Sequence, residues 1–76
     1  MQTLRRPKVR DQAVDQIKQY IVAHNLSSGD RLPTETQLAE SFGISRLSVR
    51  EATKSLEFLG IVEAKTGVGL TVGRID

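Results

Sequence analysis

Residues 34–60 read TETQLAESFGISRLSVREATKSLEFLG, and the fold turns on how this stretch divides. Thr34 stands three residues before Gln37, the spacing of a capping box, in which side chain and backbone at a helix start satisfy each other's hydrogen bonds. Leu38, Ala39 and Phe42 give the short helix that follows one apolar face. Gly43 suits the left-handed residue that stops a helix, and Ile44 after it can fold back onto Leu38 or Ala39. Ser45 then caps a further helix at once. Only Phe42, Gly43 and Ile44 remain for the bend, which is the spacing of a helix-turn-helix.

Working outward, the helix that opens at Arg46 runs to about Leu59. Val49, Ala52, Leu56 and Leu59 form its buried stripe, and Gly60-Ile61 repeats the stop of Gly43-Ile44. Ile61 to Lys65 and Leu70 to Val72 are strand-like, and Thr66-Gly67-Val68-Gly69 can turn tightly between them, giving a β-hairpin. Upstream, Ala13, Val14, Ile17, Tyr20 and Ile21 recur at helical spacing from Asp11 onward and mark a first helix. His24 sits at the end of that stripe, where packing or capping of the last carbonyls is the expected role. Ser27-Ser28-Gly29-Asp30 has turn chemistry, and Arg31-Leu32, held extended by Pro33, supplies a short edge strand. The order α-α-α-β-β is an α+β winged helix-turn-helix. Residues 1–10 are assigned to a basic tail and 11–76 to the domain.

Composition sets the outer limits. A chain of 76 residues holds one small domain, and 38% apolar content with 26% charged residues describes a globular protein. There is no cysteine and His24 is the only histidine, so disulfides and thiolate zinc sites are excluded and no metal or cofactor is expected. The first twenty residues contain no apolar run suited to a signal peptide, and no run of eighteen apolar residues suits a membrane span, so a cytoplasmic location without membrane partners is expected. No nucleophile-base pair or carboxylate dyad stands out, which argues against an enzyme. The net charge is only +2, but Arg5, Arg6, Lys8 and Arg10 crowd the start, either as a solvated tail or as an arm touching phosphate.

The placement of the other cations is more informative. At about 100° per residue, Arg46, Arg50 and Lys54 advance by about 40° a step and share one face of their helix, while the apolar stripe is committed to the core. That division suits a helix lying in the major groove of DNA. Arginine matches the N7 and O6 edge of guanine with a bidentate fork, so Arg46 and Arg50 are the base-reading candidates. Leu47 can meet a thymine methyl and Ser48 joins the base-reading group on the N-terminal surface, while Ser45 and Lys54, the latter deeper along the helix, suit the sugar-phosphate backbone. Thr34, Thr36 and Gln37 open the preceding helix, where free N–H groups and the dipole favour phosphate, although capping alone accounts for Thr34. In the wing, Lys65, Thr66, Gly67 and Gly69 are candidates for the minor groove, and the glycines are equally explained as turn residues. A solvated face, with Arg50 and Lys54 paired to Glu51 or Glu57, is the plainer alternative; a protein-interaction module is the other, although Leu47 is its only large apolar residue there.

The run LPTETQLAESFGISRLSVREATKSLEFLGIVEAKTGVGLTV, residues 32–72, closely resembles the N-terminal domain of the GntR family of bacterial transcription regulators, and the resemblance extends from about Val9 to Gly73. It implies a dimeric regulator, usually a repressor, on an inverted-repeat double-stranded operator. Arg46 and Arg50 then stand where family members contact guanines, Thr36, Ser45, Leu47 and Ser48 at DNA-facing positions, and Gly67 at the wing tip in the minor groove. Thr53 departs from the family, which commonly has an apolar residue there. Family members continue into a C-terminal domain that binds a small-molecule effector and supplies the homodimer interface. The chain is accordingly read as a fragment of such a regulator.

Overall fold

The computed structural model describes residues 9–74. Three helices, α1 (Val9–Ala23), α2 (Glu35–Phe42) and α3 (Arg46–Phe58), are followed by an antiparallel pair, β1 (Val62–Lys65) and β2 (Gly69–Val72). This is the winged helix expected from the sequence. The first helix begins earlier than expected: Val9 and Arg10, assigned to the tail, are helical, and Arg10 lies 3.8 Å from Asp11 in an exposed ion pair. Arg5, Arg6 and Lys8 of the expected tail lie outside the described residues.

Each helix ends for a local reason. α1 buries Ala13, Ile17 and Ile21, spaced four apart on one face, and stops at Asn25, whose φ of 55° lets Leu26 donate back to the Ile21 carbonyl at 3.0 Å. His24 performs the expected capping: its Nδ1 is 3.0 Å from the Tyr20 carbonyl, and its ring stacks on Tyr20 with centroids 4.0 Å apart. α2 opens with the capping box complete. The Gln37 amide donates to Thr34 Oγ1 at 3.1 Å, and the Thr34 amide donates to Gln37 Oε1 at 2.9 Å. Gly43, at φ 71°, closes α2, and the amides of Gly43 and Ile44 both donate to the Ala39 carbonyl, at 2.9 and 3.1 Å.

α3 carries one correction. Its buried stripe is Val49, Ala52, Thr53 and Leu56, whereas Leu59, expected in the core, is 60% exposed. The helix ends at Phe58, so Leu59 belongs to the stop, where the Ile61 amide bonds back to the Leu56 carbonyl at 2.9 Å. Thr53 takes the stripe position instead. Its hydroxyl donates to the Arg50 carbonyl at 2.9 Å, which removes the cost of burying an unpaired polar group.

The expected edge strand is shorter than a strand. Arg31 forms a single antiparallel bridge with Thr71, on the far side of β2 from β1, and Leu32 donates to the Leu70 carbonyl at 2.8 Å. Pro33 has no N–H to extend the ladder. β2 is thereby the middle strand, which explains why Thr71 and Val72 are buried while Glu63 to Lys65 of β1 face out. The core joins Ile17 and Ile21, Leu38, Val49 and Leu56, and Val62 and Val72, so both the helices and the wing lean on α3.

Two substitutions test this arrangement. Leu56→Ala empties a fully buried site in α3 and is expected to cost about 2–5 kcal/mol in urea unfolding, a large share of what a small domain has, whereas Leu59→Ala should stay within about 0.5 kcal/mol. A Cβ on Gly73 would run into the carbonyl oxygen of Gly60 at the α3 stop. Gly73→Ala should therefore cost about 1–3 kcal/mol and lower the melting temperature, although the added group is one methyl.

Candidate nucleic-acid interface

The capped bend leaves the first turns of α2 and α3 on the same side of the domain, with the hairpin beside them. Thr34, Glu35, Lys65 and Val68 line a common cleft between the α2 start and the wing. On α3, Arg46, Arg50 and Lys54 are all exposed, and the buried stripe runs along the other side of the helix. Leu47 is also exposed, at 63%, beside this cationic row. Among the described residues, Arg46 and Lys54 have no carboxylate within 4.0 Å.

Arg50 is different. Its Nε lies 3.4 Å from Glu35 Oε1, so its partner is on α2, across the bend, and not Glu51 or Glu57 on its own helix. Fifteen residues of sequence separate the two, and no helical spacing rule links them. Sequence reasoning misses Glu35, although Thr34 and Thr36 on either side of it are both candidates. The signal was the helix-turn-helix itself, which brings the first turn of its first helix against the second turn of its second.

The hydroxyl groups are partly occupied. Ser45 Oγ accepts from the Ser48 amide at 3.1 Å as the N-cap of α3 and donates to Ser48 Oγ at 3.0 Å. Ser48 is half-buried and turned about 160° around the axis from Arg50. Thr34 Oγ1 and Gln37 Oε1 are spent in the capping box, which leaves the Thr34 hydroxyl proton and the Gln37 amide protons as donors. Thr36 is exposed beside them, and the backbone amides of Glu35 and Thr36, in the first turn, have no acceptor within their own helix.

The wing is a tight turn. Lys65 pairs with Gly69, the Val68 amide donates to the Lys65 carbonyl at 3.0 Å, and Gly67 at the tip has φ 81°. Lys65, Thr66, Gly67 and Gly69 are all exposed there, and Lys65 Nζ is 3.7 Å from Glu63 Oε1 in a solvent-exposed pair. Arg31, absent from the sequence-based candidates, reaches the same turn: its Nη2 donates to the Val68 carbonyl at 3.1 Å and ties the wing to the approach of α2.

The profile of the gntR family, described as bacterial regulatory proteins, matches residues 9–72. The chain is 48% identical over 58 residues to the Uxu operon regulator of Haemophilus influenzae, covering 76% of this chain and 22% of that protein. It is 41% identical over 61 residues to the Mannosyl-D-glycerate transport/metabolism system repressor MngR of Escherichia coli, covering 80% of this chain and 25% of that one. The chain thus spans about a quarter of the length of these curated relatives. Among solved structures, the DNA-binding domain of AraR in complex with operator ORE1 superposes with a TM-score of 0.83 at 25% identity, over 96% of this chain and 89% of that one. With the profile spanning nearly all of the described residues, the chain belongs to the gntR family of bacterial regulatory proteins.

Proposed function

We propose that the chain is the DNA-binding part of a bacterial transcription regulator of the repressor type, acting in the cytoplasm, and that it reads double-stranded operator DNA with α3 in the major groove. The observation that carries this reading is the cationic row of Arg46, Arg50 and Lys54, exposed on a helix whose other side is packed into the core. Family membership and the likeness to an operator-bound domain support it. A catalytic role has no support in the relatives, which are named as regulators.

Arg46 and Arg50 read guanine edges, because their planar forks match O6 and N7, and Leu47 lies against a neighbouring thymine methyl. Lys54 meets phosphate further along the groove, as do Thr36, Gln37 and the free amides that open α2. Thr34 and Ser45 contribute chiefly by capping; Thr34 keeps a hydroxyl proton to donate, whereas that of Ser45 is given to Ser48 Oγ. Ser48, hydrogen-bonded to the cap and turned away from Arg50, fits sugar-phosphate contact better than base reading. Lys65, Thr66, Gly67 and Gly69 bring the wing to the minor groove, where the lack of a side chain at Gly67 lets backbone approach closely. In the longer regulator, a further domain binds a small-molecule effector and holds two copies together on an inverted repeat.

Duplexes selected from a random pool give the sequence bound, its half-site spacing and its symmetry. On such a duplex, affinity should fall steeply as salt rises. Arg46→Ala and Arg50→Ala should each cost about 1–3 kcal/mol and relax preference at one base pair, while Lys54→Ala weakens all sequences alike and lowers the salt slope by about one. Unchanged base preference in both arginine variants contradicts the reading.

A further inference from the structure

We infer that Glu35 is a positioning residue that sets which part of the Arg50 guanidinium faces DNA, an inference that rests on the major-groove reading of α3. The observation is the contact across the bend between Arg50 Nε and Glu35 Oε1 at 3.4 Å. A guanidinium has five N–H donors in a rigid plane. With Nε engaged by Glu35, the two terminal nitrogens are left for another acceptor, and their fork is a part that matches guanine O6 and N7.

Stability does not account for this pair. Its side chains are 54% and 30% exposed, and a partly exposed isolated pair contributes little. Nor does α2 need it in order to start, because Thr34 and Gln37 already complete the capping box. A carboxylate in the first turn of a helix that faces DNA also repels phosphate. What Glu35 supplies is direction: it tethers Arg50 at its Nε edge and disfavours the side chain's alternative, a swing onto a nearby phosphate, which would add affinity without base preference. Glu35 therefore lowers binding to DNA in general and raises the ratio of specific to non-specific binding.

The test uses the base pair at which Arg50→Ala loses preference, and compares dissociation constants for the preferred duplex and for the one substituted there. Glu35→Ala should lower that ratio at least about fivefold, the low end of what one good bidentate contact provides, while its affinity for unrelated duplex is unchanged or tighter. Glu35→Gln, which keeps an acceptor oxygen at the same reach, should retain more of the ratio than Glu35→Ala. In an Arg50→Ala background, adding Glu35→Ala should change the ratio less than about twofold, as expected for two residues acting through one contact. A ratio that survives Glu35→Ala overturns the inference, as does the same loss with and without Arg50. If Arg50→Ala itself changes no base preference, the major-groove role of Arg50 falls first, and the inference falls with it.

Discussion

The bend at Gly43 is the constraint from which the rest of the structure follows. Its left-handed backbone brings two successive amides, of Gly43 and Ile44, to the one Ala39 carbonyl, so α2 stops within a residue of its last turn. Ser45 then starts α3 with its own side chain as the cap. With so short a connection, the direction of α3 relative to α2 is fixed by backbone hydrogen bonds and by the packing of Leu38 and Ala39 into the shared core. Substituting a β-branched residue at Gly43 would strain that backbone whatever space surrounds it, because a branched Cβ clashes with its own backbone at a φ of 71°.

Once α3 is fixed, its sequence divides the labour of the domain. One side supplies Val49, Ala52, Thr53 and Leu56 to the core, and the other carries Arg46, Arg50 and Lys54 in water. The wing depends on the same helix. Val62 and Val72 pack on the shared core, Gly73 lies against the stop of α3, and Arg31 holds the hairpin turn through the Val68 carbonyl. Helix α3, the start of α2 and the wing are thus parts of one packed arrangement, and a binding surface benefits when little has to be ordered on binding.

Most of this was legible in the sequence because the determinants are local. Capping spacing, glycine stops and apolar periodicity gave the helix starts and ends to within a few residues, and the outward row of cations follows from a spacing of four. The misreadings share one origin, which is that tertiary context decides them. Leu59 was placed in the core by periodicity, yet the helix stops before it. Thr53 lies outside the stripe that apolar periodicity picks out, yet it is buried, because its hydroxyl finds a carbonyl one turn back. Arg31-Leu32 has the chain direction of a strand, but Pro33 limits it to one bridge. Glu35 and Arg31 act through partners fifteen and thirty-seven residues away, which no local pattern reports.

The central claim is that the solvent face of α3, with the wing and the opening of α2, is the surface that meets duplex DNA. The most direct measurement is a titration of the isotope-labelled chain with a selected duplex, following backbone amide resonances. The account predicts the largest shifts at 45–50, 34–37 and 65–69, with Val22, Phe58 and Leu59 little changed. Shifts centred on those three exposed apolar residues, with the first turn of α3 unmoved, would contradict it.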